Sequence, residues 1–137
     1  MACGEAHFRK LEREALEEVA ASADNTIVAC GGGTPLQEGN MELMNSLGIT
    51  VWLRTSVERI TSRLVLLDQR SKRPLLSGMS DDEIRASVAQ GLDVRTPFYE
   101  QAQLQFDSTN LESEEQISDS ARRLARLLHS FTANFAN

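Results

Sequence analysis

Ile27-Val28-Ala29-Cys30-Gly31-Gly32-Gly33 is the stretch on which the reading of this chain turns. Four small or apolar residues, two of them β-branched, run straight into three consecutive glycines. An apolar run this short reads as a strand covered on both faces, as in a parallel sheet packed between helices. The glycines remove every side chain at its end and leave backbone N–H groups open to whatever lies beyond. In open α/β sheets ligands bind in that position, outside the carboxyl ends of the strands. A tight strand-to-helix turn explains the glycines too, and taken alone the stretch favours the turn.

The flanking sequence supplies the rest of an α/β pattern. Upstream, Phe8, Leu11, Ala15, Leu16 and Val19 recur at helical spacing between acids and bases, which predicts an amphipathic helix over about 5–21. Asp24-Asn25 closes it, and Thr26–Cys30 is the first strand. Downstream, Thr34-Pro35 starts a helical segment whose apolar face is Met41, Leu43, Met44 and Leu47, with Gly48 as its C-cap. Ile49–Leu53 is a second strand. Thr55, with Glu58 as capping-box partner, opens a third helix through Val57, Ile60 and Leu64. From Asp68 to Gly78 the periodicity breaks into a basic, Pro- and Gly-containing loop. Ser80-Asp81-Asp82-Glu83 opens a fourth helix, broken near Gly91 and reaching Tyr99 and Ala102. Leu104–Asp107 is the third strand. A last helix over about 113–130 buries Ile117, Ala121, Leu124, Leu127 and Leu128. Strands alternating with helices imply a mostly parallel sheet.

With 137 residues, 41% apolar and 25% charged, the chain reads as one soluble domain spanning its whole length. No apolar run approaches the roughly 20 residues that span a bilayer. The N-terminus carries no basic-then-apolar signal pattern, so the cytoplasm is the expected compartment. Cys3 and Cys30 read as reduced structural thiols. A net charge of −6 argues against a nucleic-acid partner, so any anion site must be local and built from a few arginines.

Three arginines stand where an anion could be held: Arg9 on the first helix, Arg73 in the loop as Lys72-Arg73-Pro74-Leu75-Leu76, and Arg95 in Arg95-Thr96-Pro97-Phe98-Tyr99. Each alone is more simply a solvated surface charge. Together with the triple glycine they suggest an acid- or phosphate-bearing ligand, which a planar guanidinium fork matches. His7 and His129 have no ligand spacing around them, so no metal site is expected within this chain. Met41, Met44 and Trp52 read as core, and Asp81-Asp82-Glu83 as a helix start. No Ser or Cys lies in a nucleophile motif.

Together these segments resemble the shikimate kinase family. Gly4-Glu5-Ala6-His7-Phe8-Arg9-Lys10-Leu11-Glu12 is similar to its GE-x-x-FR-x-x-E motif, and Cys30-Gly31-Gly32-Gly33 to its strand ending in three glycines. Lys72-Arg73-Pro74-Leu75-Leu76 is similar to the RPLL of its lid, here about 68–78, and Val94-Arg95-Thr96-Pro97-Phe98-Tyr99 to its R-x-P-x-Y segment. The motifs come in the family's order, and the match covers essentially the whole chain. The resemblance implies a three-layer α/β/α parallel sheet of the P-loop kinase type. It implies transfer of the ATP γ-phosphoryl group to the shikimate 3-hydroxyl with Mg²⁺, a step toward chorismate and the aromatic amino acids. By that resemblance Arg9 and Arg95 grip the shikimate carboxylate. Gly31, Gly32 and Gly33 hydrogen-bond the ring hydroxyls through their backbone. Arg73 swings in with the lid to stabilise phosphate charge, and Arg63 lies near the adenine. Shikimate and ATP are the implied partners of a monomer, with no nucleic acid and no membrane.

The sequence departs from the family in one respect. No G-x-x-x-x-G-K-[ST] occurs in it, so nothing cradles the β- and γ-phosphates, and the Ser/Thr for Mg²⁺ is missing. In the family's strand order 2-3-1-4-5 the P-loop strand is central. The three strands here match the third, fourth and fifth, which leaves a gap between Thr26–Cys30 and Ile49–Leu53. The expectation is therefore a truncated chain with the shikimate-binding and lid parts, poorly stable and inactive alone. The alternative is a catalytically inactive remnant that only binds an acidic small molecule or a partner. Another P-loop small-molecule kinase, such as a gluconate kinase, fits the Phe8-Arg9 motif, the triple glycine and Arg95 less well.

Overall fold

The computed structural model describes residues 4–22, 24–66 and 76–135. Among these residues five helices and two strands follow one another: α1 (Gly4–Ala21), α2 (Asn40–Leu47), β1 (Val51–Arg54), α3 (Val57–Val65), α4 (Asp81–Tyr99), β2 (Leu104–Asp107) and α5 (Glu114–Phe135). A 3-10 turn, Thr34–Leu36, precedes α2, with Pro35 in its first turn where a missing N–H costs nothing.

β1 and β2 pair in parallel, with Leu104 N–H donating to Thr50 C=O at 3.0 Å and Ser108 N–H to Arg54 C=O at 2.8 Å. A parallel pair needs a long crossover, and α3 and α4 lie within it. The two strands joined are the ones expected as neighbours. The first expected strand, Thr26–Cys30, does not form. Among the described residues no segment completes a ladder beside it, and Ile27 is fully exposed. A strand exists only as one side of a ladder, so an apolar sequence without a hydrogen-bonded neighbour stays irregular.

The helix boundaries show the local chemistry directly. Ser56, not Thr55, caps α3, accepting from Arg59 N–H at 3.1 Å. The Thr55 hydroxyl is taken instead by Ser108 at 2.6 Å. Ser80 and Glu83 form a reciprocal capping box at the start of α4, both bonds 3.2 Å. α4 then runs unbroken through Gly91 to Tyr99 and contains Pro97. Inside a helix glycine costs only about 1 kcal/mol against alanine, too little to end it. Gly48 N–H closes α2 on Met44 C=O at 3.1 Å.

The chain divides into two compact units. The first comprises Met1–Trp52 and Gly91–Leu104. Its interior is partly polar: Thr34, Asn40 and Met41 are buried where α2 meets α1. Asn40 accepts from Arg13 Nη1 at 2.8 Å and donates to Thr34 C=O at 3.0 Å. The second unit comprises Leu53–Gln90 and Gln105–Asn137. It buries Ile84 and Phe106, with the Arg123 guanidinium carbon 5.5 Å from the Phe106 ring centre. The apolar faces of α1 and α5 are less covered than their periodicity predicts, with Phe8 54% and Ile117 51% exposed. Periodicity identifies a helix face but not what covers it.

Candidate functional site

α1, the glycine segment and the end of α4 meet in the first unit. Gly31–Gly33 runs into the 3-10 turn, and each glycine carbonyl is held. Thr34 N–H donates to Gly31 C=O at 3.1 Å, and Leu36 N–H and the Gln37 side-chain amide both donate to Gly33 C=O at 3.2 Å. The Tyr99 hydroxyl donates to Gly32 C=O at 2.6 Å. Among the described residues no group accepts from the N–H of Gly31, Gly32 or Gly33. Three adjacent donors stand without an acceptor among the described residues.

Two guanidiniums lie against the same glycines. A Cβ added to Gly33 would sit 2.5 Å from Arg9 Nη2, and one added to Gly32 would sit 2.9 Å from Arg95 Nη1. Side chains at 32 and 33 would take the space the arginines occupy, which is why glycines serve there. The two arginines differ in how they are held. Arg9 donates from Nε to Glu5 and from Nη1 to Glu12, both at 2.9 Å, which leaves Nη2 toward Gly33. The hydrogen bond to Glu12, then that to Glu5, holds its guanidinium above the ordinary arginine value. Arg95 is exposed and has no carboxylate partner among the described residues.

Glu12 is the hinge of this arrangement. Its carboxylate accepts from Arg9 at 2.9 Å and from the Thr34 hydroxyl at 2.8 Å, joining α1 to the turn after the glycines. Desolvation pushes its pKa up, but the hydrogen bonds from Thr34 and Arg9 outweigh it and the carboxyl lies below its usual value. Burial, with the Glu12 charge in a lesser role, pushes the Cys30 thiol up, so it is not an activated nucleophile.

The sequence-predicted residues thus divide. Arg9, Gly31, Gly32, Gly33 and Arg95 are brought together. Arg63 belongs to the second unit. There its Nε meets Glu112 at 3.2 Å and its Nη2 donates to the carbonyls of Ser108 at 3.1 Å and Thr109 at 3.0 Å. Arg73 and most of the expected lid lie outside the described residues. Two residues received no role from sequence reasoning, Glu12 and Tyr99. Their signal was spacing: Glu12 follows Arg9 by three and Tyr99 follows Arg95 by four, so each shares a helix face with its arginine.

Parallel strands joined through helices make this an α/β protein, with two arginines set against an open glycine backbone. The comparisons with known proteins narrow this. The family model for shikimate kinase matches residues 2–125. The shikimate kinase of Parabacteroides distasonis is 41% identical over 125 residues, covering 91% of this chain and 70% of that relative. That of Bacteroides thetaiotaomicron is 44% identical over 125 residues, with the same coverage. A crystal structure of shikimate kinase from B. thetaiotaomicron superposes with a TM-score of 0.84, covering 92% of this chain and 70% of its own. The chain belongs to the shikimate kinase family, and its fold is the α/β fold of P-loop kinase type.

Proposed function

We propose that this chain binds shikimate for an ATP-dependent kinase that phosphorylates the 3-hydroxyl. Arg9 and Arg95 hold the carboxylate, and the N–H groups of Gly32 and Gly33, with Gly31 beside them, donate to ring hydroxyls. The observation that carries this reading is Arg95, a guanidinium against Gly32 with no carboxylate partner among the described residues. A cation left unpaired beside unused N–H donors suits a ligand that brings its own negative charge. Arg9 is already oriented by two acids, so it meets the same carboxylate at little further ordering cost.

ATP supplies the phosphoryl group in such a reaction, and a lid arginine, here Arg73, would neutralise charge developing on it. Mg²⁺ and the nucleotide phosphates are another matter. No G-x-x-x-x-G-K-[ST] occurs in this sequence, and no group of three or more His, Cys, Asp or Glu among the described residues is placed to hold a cation. The described residues do not fit Mg²⁺. The proposed ligands are small molecules met by a cytoplasmic monomer. No helix among the described residues is long and apolar enough to cross a membrane.

Calorimetric titration of the chain with shikimate and with its methyl ester tests the reading. Shikimate binds and the uncharged ester does not, because esterification removes the charge both arginines answer. Equal binding of acid and ester, or no binding of shikimate, overturns it.

A further inference from the structure

We propose that Tyr99 is a positioning residue that aims the Gly33 N–H at the substrate. The inference rests on the shikimate-binding reading above and adds a residue to it. A peptide unit is a rigid, trans plane, so the Gly32 carbonyl and the Gly33 N–H point in opposite directions from one plane. Whatever fixes the carbonyl fixes the aim of the N–H. The three glycine carbonyls differ in how they are fixed. Those of Gly31 and Gly33 are tied within the local turn, by Thr34 N–H and by Leu36 N–H with the Gln37 amide. Among the described residues that of Gly32 is tied only by Tyr99, 67 positions along the chain, at 2.6 Å. Without the phenol this middle plane has no restraint of its own among the described residues, and it lies between two residues that have no Cβ.

The phenol is itself well fixed. Tyr99 is half-buried on the last turn of α4, and its ring leans on Trp52 with centroids 5.8 Å apart at 52°. A Cβ on Gly32 would sit 3.2 Å from the Tyr99 hydroxyl and 2.9 Å from Arg95 Nη1. One turn of helix therefore presents a guanidinium for the ligand's charge and a hydroxyl for the backbone that donates to its ring. Donation to the carbonyl also polarises the peptide and strengthens the N–H as a donor.

Tyr99→Phe removes the hydroxyl and keeps the ring. The full chain, labelled with ¹⁵N-glycine, is followed without ligand and then titrated with shikimate. In the ligand-free spectrum of Y99F the Gly33 amide shifts or broadens while Gly39 and Gly48 stay in place. Shikimate affinity then falls about threefold to tenfold, the value of one hydrogen bond. Tyr99→Leu, which also removes the ring packing, lowers the melting temperature. Y99F keeps it within a degree or two, so lost stability and lost aim are separable. An unmoved Gly33 amide in Y99F, or unchanged affinity, overturns the positioning role. A wild-type chain that fails to bind shikimate while Gly33 still responds to Y99F overturns the functional reading instead.

Discussion

Two arginine-rich regions of this molecule use the same functional group in opposite ways. In the second unit, Arg63 spends its donors on the protein: Glu112 and the carbonyls of Ser108 and Thr109. Arg59 joins the same carboxylate at 3.4 Å. Desolvation raises the Glu112 pKa, but the Arg63 hydrogen bond, the Leu111 N–H and both arginine charges outweigh it and hold the carboxyl low. In the first unit, Arg95 lies on Gly32 with no such acid among the described residues, and Arg9 keeps one nitrogen toward Gly33. A guanidinium whose forks are filled by its own chain is fixing structure. One with no acid among the described residues, beside open N–H groups, suits the ligand proposed above.

That contrast breaks first at Arg95. Arg95→Ala is expected to weaken shikimate binding about 10- to 100-fold, the worth of charge-assisted hydrogen bonds. Urea unfolding moves little, because no carboxylate among the described residues loses a partner; calorimetry with chemical denaturation checks both halves. A large loss of stability with affinity intact would place Arg95 in the structural class. Arg63→Ala is expected to do the reverse. Two carbonyls lose their donor, unfolding free energy falls by about 1–2 kcal/mol in urea titrations, and shikimate affinity is unchanged.

Two glycines sharpen the comparison at smaller scale. Gly33→Ala pushes a methyl to within 2.5 Å of Arg9 Nη2, at the far end of a flexible side chain. The guanidinium gives way, so shikimate affinity drops by about tenfold while stability barely changes. Gly39 has φ 77°, a backbone that side chains resist, and caps α2; the arginine beside it is Arg13, not Arg9 or Arg95. Gly39→Ala therefore costs about 1 kcal/mol of stability and leaves affinity alone. The smallest effect is on pH. Glu12 has a folded pKa below its unfolded value, so its contribution is fully present above the unfolded value of about 4.5. It is lost as pH falls through the lower folded value. Between pH 5 and pH 3 the stability of Glu12→Gln falls less steeply than that of the wild type, measured by urea midpoints across the range.

Much of this was legible in the residues, and what was missed has definite causes. β2 occupies the expected Leu104–Asp107, and α1 begins and ends within a residue of its periodicity. Local pattern sufficed there. Thr26–Cys30 failed as a strand because pairing is a property of two segments, and its sequence describes only one. Ser56 displaced Thr55 as cap because the Thr55 hydroxyl had a distant partner in Ser108. At the site, arginine and glycine announced themselves by chemistry and motif. Tyr99 stood inside a quoted motif and still had no assignable role, since its hydrogen bond crosses 67 positions. The sequence context of Arg63 likewise says nothing of the Ser108 and Thr109 carbonyls that accept from it, 45 and 46 positions away.

The tied carbonyls of Gly31, Gly32 and Gly33 have a thermodynamic consequence. Ordering a residue's backbone costs about 1–2 kcal/mol in lost freedom, and glycine has the most freedom to lose. In a slack loop that entropy would be charged against every binding event. Here Thr34, Leu36, Gln37 and Tyr99 hold the three planes before any ligand arrives, so the loss is met at folding. The most pliable residues in the alphabet are thereby made into a rigid surface, and association keeps the free energy that ordering would have consumed.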